Sequence, residues 1–133
     1  MALYIWIAVG SALGGVCRFA LSGYVANHFG RSFPWDILII NITGSFLIGF
    51  FATLTEPPEG RWFVSAEGRQ FFMVGICGGY TTFSAFSLQT LKLAQDGEWL
   101  HAGGNVAGSV VFCLAAVWLG HMAGALINSM KGS

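Results

Sequence analysis

The sequence predicts an all-α integral membrane protein: one domain of 133 residues with four transmembrane helices, the third broken near mid-membrane. Three observations predict it. Charged residues make up 9% of the chain and hydrophobic residues 55%, far from the balance of a soluble domain. Mean hydropathy is +0.67. A soluble domain this small must cover most of its surface with water-compatible side chains, and six Lys/Arg with six Asp/Glu cannot do so. Finally, apolar runs of spanning length recur four times. At about 20 residues per crossing, they leave little chain for a soluble catalytic domain, so the protein is not expected to be an enzyme.

The first span runs from about Leu3 to Val25 and carries one charge, Arg18. The start, MALYIWIAVGSALGG, lacks the basic region of a cleaved signal peptide, so this helix is expected to stay. A loop with Asn27, Gly30 and Pro34 follows, residues that favour turns. The second span runs from about Trp35 to Thr53, uncharged after Asp36. The next loop gathers Glu56, Glu59, Arg61, Glu67 and Arg69 around a Pro-Pro pair.

The third apolar region, from about Gln70 to Leu93, contains Gly75, Gly78 and Gly79 and then Tyr80, Thr81 and Thr82. Glycine costs about 1 kcal/mol against alanine inside a helix. Adjacent glycines followed by adjacent threonines predict a break near residues 76–82. The fourth span runs from about Leu100 to Ile127, long enough to tilt.

Small residues repeat at i, i+4 in Gly10/Gly14, Gly75/Gly79, Gly104/Gly108 and Gly120/Gly124. Such faces let helices approach closely in lipid, either within one subunit or between subunits. With zero net charge, no electrostatic case exists for nucleic acid. Cys17, Cys77 and Cys113 lie far apart in apolar stretches and read as small core residues.

Cations normally mark the cytoplasmic side. Here Arg61, Arg69 and Lys131 fall on one side, with Arg31 and Lys92 on the other and Arg18 near that second end. Either a boundary is misplaced, or the chain inserts both ways and two copies pair antiparallel, giving an inverted repeat.

A break inside a membrane is tolerated where its freed backbone groups are buried, wet or used. Its exposed carbonyls suit a cation and its exposed N–H groups an anion, with hydroxyls from Thr81, Thr82 and Ser84. A kink satisfied by its own Ser and Thr side chains is the plain alternative. Polar stripes accompany the break. His101, Asn105, Ser109 and Cys113 recur at i+4 on the fourth span, and Asn41 and Ser45 on the second. Phe83 and Phe86 share a face, with Ser84 and Ser87 beside them and Gln89 and Thr90 beyond. No carboxylate lies inside a span, so the track suits an anion or a neutral solute better than a proton-driven cation carrier. Taken alone, Asn41 is more often an interhelical hydrogen bond, and a Phe pair more often core. The chain has no nucleotide motif and no ionisable relay, so transport is expected to be passive.

The run Gly78-Gly79-Tyr80-Thr81-Thr82-Phe83-Ser84-Ala85-Phe86-Ser87 resembles the GGxTTFSTFS signature of the small fluoride channels, the Fluc or CrcB family. Gly14-Gly15-Val16-Cys17-Arg18 resembles the family's first-span segment ending in Arg, Ile40-Asn41-Ile42-Thr43-Gly44 its VNxxG motif, and Gly108-Ser109 its fourth-span GS. The resemblance implies an antiparallel, dual-topology homodimer in the bacterial inner membrane, with two selective fluoride pores along the subunit interface that relieve fluoride toxicity. Asn41 would then be a pore donor, and Phe83 and Phe86 the rings that meet fluoride edge-on, where the quadrupole is positive. Thr82 and Ser84 would lie beside them, and Asn105 and Ser109 would continue the track. Backbone carbonyls of Gly78 and Thr81 from both subunits would hold a structural sodium ion (Na+). Arg18 would attract anions at a pore entrance; a snorkelling anchor is its other reading.

The chain departs from the family at Gln89, where Glu is usual, at Ala85 for Thr, at Cys113 for a hydroxyl residue, and at His101. Two other classes fit the size: a four-helix proton-coupled multidrug transporter, which needs a carboxylate that the first span lacks, and a scaffold subunit joined by its glycine faces.

Overall fold

The computed structural model describes residues 1–58, 60 and 62–130. Glu59, Arg61 and Lys131, which entered the charge count, lie outside the described residues. The described chain is helical: α1 (Ala2–Phe29), α2 (Trp35–Thr55), α3 (Ala66–Gln70), a π-helical segment (Phe71–Cys77), α4 (Gly78–Tyr80), α5 (Phe83–Gln95) and α6 (Trp99–Ser129). Four stretches are long and apolar enough to cross a membrane: α1, α2, the composite Ala66–Gln95, and α6. The predicted spans each grow by a few residues at their ends, because helical turns run on into the polar flanks.

Local chemistry sets the ends. Gly30 takes φ 82° after α1 and Gly97 takes φ 78° after α5, a backbone region glycine enters at little cost. The Ser65 hydroxyl accepts from Gly68 N–H and caps α3. The Thr82 hydroxyl accepts from Ala85 N–H and caps α5.

The predicted break is narrower than its glycines suggested. Residues 71–80 stay helical, and only Thr81 and Thr82 are extended, at ψ 158° and 119°. Gly75 and Gly79 serve packing instead. A Cβ on Gly10 would meet the Phe71 carbonyl oxygen at 2.6 Å, one on Gly79 the Ser11 carbonyl oxygen at 2.5 Å, and one on Gly14 would overlap the Ile76 carbonyl. Helix α1 and the third span thus touch backbone to backbone. Gly49 and Gly120 do the same between α2 and α6, against Val117 and Phe46. Gly104 and Gly108 meet nothing closer than 3.8 Å. Three of the four predicted glycine faces therefore pack within the chain, and the fourth stays open.

Ile40 and Leu54 are fully buried, and Val25, Ile37, Leu38, Cys77, Ala102 and Ala116 are nearly so. Most other large apolar residues are exposed, Phe19 and Phe112 among them. So much open apolar surface belongs against lipid or another apolar partner.

Candidate functional site

The break is built on one residue of the neighbouring helix. Asn41 Nδ2 donates to the Thr82 carbonyl at 3.1 Å, and Thr82 N–H donates back to Asn41 Oδ1 at 2.9 Å. Both backbone groups of the extended residue are thereby satisfied by one amide. Thr81 bonds the Cys77 carbonyl twice, through its N–H at 3.0 Å and its hydroxyl at 2.9 Å. Arg18 Nε donates to the Gly79 carbonyl at 3.3 Å. Thr82 and Ser84 hydroxyls lie 3.1 Å apart. Tyr80, whose OH is 2.8 Å from the Thr43 hydroxyl, ties the break to α2 a second time.

These bonds divert the helical donors of Gly78 and Thr81; the Gly79 and Tyr80 carbonyls at the same break lose theirs as well, and Arg18 answers Gly79. Thr82 N–H, one turn beyond Gly78, is spent on Asn41, and Ala85 N–H, one turn beyond Thr81, is spent on the Thr82 hydroxyl. The freed oxygens of Gly78 and Thr81 are of the type that ligates a hard cation.

Beside the break lies a cleft of about 410 Å³ between α2, α5 and α6. Its wall includes Asn41, Ser45, Thr82, Phe83, Phe86 and Ser109. The Phe83 and Phe86 rings sit 5.3 Å apart at 50°, and Phe83 is 78% exposed on this chain. Ser109 stands out. It is 8% exposed, and its hydroxyl has no hydrogen-bond partner among the described residues. Thr43, Thr55, Ser87 and Thr90 each bond a carbonyl one turn back, the usual resort of a hydroxyl inside a helix. Ser109 does not.

The four-residue stripe on α6 divides among three environments. Ser109 and Cys113 line the cleft. Asn105, 1% exposed, donates from Nδ2 to the Thr90 hydroxyl at 3.0 Å. His101 lines a second cavity of about 450 Å³ at the end of the molecule, with Asp36, Gln89 and Lys92. Ser84, on the sequence-predicted track, is exposed and contributes nothing to the cleft wall.

Sequence reading gave Asp36 no partner. In the structure its carboxylate accepts from the Ser22 hydroxyl at 2.6 Å and from Gln89 Nε2 at 3.3 Å. Only the departure at Gln89 hinted at special chemistry there. Cys77, read as core, is buried yet borders the cleft.

Residues 5–121 match the family described as CrcB-like protein, Camphor Resistance (CrcB). The chain belongs to the CrcB-like family. CrcB-like relatives resemble it over nearly their whole length. A protein of Opitutus terrae named "Fluoride-specific ion channel FluC" is 64% identical over 133 residues, covering 100% of both chains. Proteins of the same name from Methylocella silvestris and Rhodospirillum rubrum are 58% and 61% identical, over 98% and 94% of this chain and 98% and 96% of theirs. With its four spans, this CrcB-like chain is a multi-pass protein of a bacterial membrane.

Proposed function

We propose that the chain is a passive, fluoride-selective channel of the bacterial inner membrane, exporting fluoride and so relieving its toxicity. The observation that carries this reading is the Ser109 hydroxyl, buried, unpartnered and in the wall of the cleft that holds Asn41 and the two phenyl rings. An unpaired buried hydroxyl costs about 1–3 kcal/mol, which a passing anion or its water would offset. The relatives named as fluoride channels support the choice of ion.

Fluoride is small and holds its water tightly, so a pore must replace that water along the whole path. Ser109 offers an O–H. Asn41 spends one Nδ2 hydrogen on Thr82, leaving the other for an anion. Phe83 and Phe86 offer positive ring edges. Each donor is weak, so the ion leaves as readily as it arrives, the condition for conduction.

The cleft is open on this chain, and the reading closes it with a second, antiparallel copy, giving two pores along the interface. Gly78 and Thr81 from both copies fit a sodium ion through their freed carbonyls. That ion would supply a fixed positive charge tying the two broken helices together. Arg18, bonded at the same break, would add positive potential near the path.

A bacterial strain lacking its own fluoride export tests the physiological side. Expression of this chain should restore growth in fluoride medium. Growth no better than with an empty vector would contradict the proposal.

A further inference from the structure

Helix α5 carries Phe83 and Phe86 to the cleft, yet none of its residues is buried. Apolar packing therefore holds it weakly, and hydrogen bonds do the rest. Its N-cap, Thr82, is clamped by Asn41. Farther along, Gln89 reaches α2, where its Nε2 donates to Asp36 Oδ1 at 3.3 Å. Gln89 lies three residues past Phe86, on the same helix face. The Asp36 carboxylate also accepts from the Ser22 hydroxyl of α1 at 2.6 Å, so one side chain joins three helices.

Two observations set this contact apart. Gln89 Oε1 is buried and has no hydrogen-bond partner among the described residues. Turning the amide over would set that oxygen against an acceptor-only carboxylate, so the bond to Asp36 fixes the amide and leaves its own oxygen unmet. Asp36, for its part, relies on neutral donors. Arg31 and Lys92 line the same end cavity, together with Asp96, Glu98 and His101, but neither cation pairs with Asp36 among the described residues. A carboxylate drawn out of water needs each of the hydrogen bonds that replace it.

We infer that Asp36 and Gln89 are positioning residues of the channel: the bond between them sets α5 against α2, and with it the place of the Phe86 ring in the cleft. The inference rests on the channel reading and adds to it a pair that acts through Phe86 and not on the ion. Neither side chain lines the cleft. What the pair requires is one donor facing one carboxylate. Gln89→Leu keeps the bulk and removes the donor. Gln89→Glu keeps the shape and sets a second negative charge against the first. Adding Asp36→Asn to Gln89→Glu restores a donor facing a carboxylate, with the two roles exchanged.

The test is fluoride efflux from liposomes holding the full chain at so low a density that many vesicles hold none. The share of vesicles that empty then counts active protein, and the speed at which each empties reads the rate of a single channel. Gln89→Leu and Gln89→Glu should each empty their vesicles roughly tenfold more slowly than the parent, the effect of one lost hydrogen bond to a charge, with the emptied share unchanged. The double variant should recover most of the parental speed. Parental speed in either single variant, whatever the emptied share, or a double variant no faster than Gln89→Glu, overturns the inference and leaves the channel reading standing. No efflux from the parent overturns both. If Gln89→Glu does not fold, Gln89→Leu decides: slow emptying supports the positioning role, and parental speed refutes it.

Discussion

Asn41 and Thr82 are bonded in both directions, side-chain amide to backbone N–H and C=O, at 2.9 and 3.1 Å. One residue of α2 thereby holds open a helix break that lies 41 positions away in the sequence. The residue read as a pore donor is first the clamp of the break, and only its second Nδ2 hydrogen is left for an ion.

Removing that clamp should damage both fold and flux. Asn41→Ala deletes two hydrogen bonds worth about 0.5–1.5 kcal/mol each. Detergent-solubilised protein should melt several degrees lower, and fluoride efflux should fall more than tenfold. An unchanged Tm would show that the break does not depend on Asn41.

Ser109→Ala should separate the two effects. Its hydroxyl has no partner, so its removal leaves Tm the same or slightly higher, while efflux falls several-fold. A clear drop in Tm with normal efflux would mean that the hydroxyl is structural.

Arg69 predicts the converse. Its guanidinium donates to the Ala52 carbonyl at 3.2 Å and the Thr55 hydroxyl at 2.6 Å, closing the C-terminal end of α2, where a cation also meets the negative end of the helix dipole. Arg69→Met should cost about 1–3 kcal/mol, read as a lower Tm, while the folded fraction conducts normally. Loss of flux from well-folded variant would place Arg69 in the ion's path.

The glycine faces can be told apart by single methyl groups. Gly14→Ala would drive a Cβ into the Ile76 carbonyl, with Tyr80 N at 2.8 Å; such overpacking costs about 1–3 kcal/mol. Gly15→Ala, with open space around it, should hold or raise Tm. Thermal melts of the two variants check this, and equal melting points would contradict the backbone contact between α1 and the third span.

The four spans were legible because bilayer thickness demands long apolar runs, and those runs are plain in the sequence. Three features were not. The glycines at 75, 78 and 79 suggested the break, yet 75 and 79 pack against α1, and the break falls on Thr81 and Thr82, which a neighbouring amide can satisfy. Likewise, i+4 spacing put His101, Asn105, Ser109 and Cys113 on one face, and periodicity carries no information on depth. The end cavity, the Thr90 bond and the cleft each took part of that stripe. Asp36 with Ser22 and Gln89 was hidden for the same reason, since three helices meet there.

The central claim is that the cleft beside Phe83 passes fluoride selectively. Its most direct test is anion efflux from liposomes holding purified protein, loaded with fluoride or with chloride, for the parent and for Phe83→Ile. Rapid fluoride release, little chloride release and an inactive variant are the predicted result. Equal release of both anions, or no fluoride release from a well-folded parent, would contradict it.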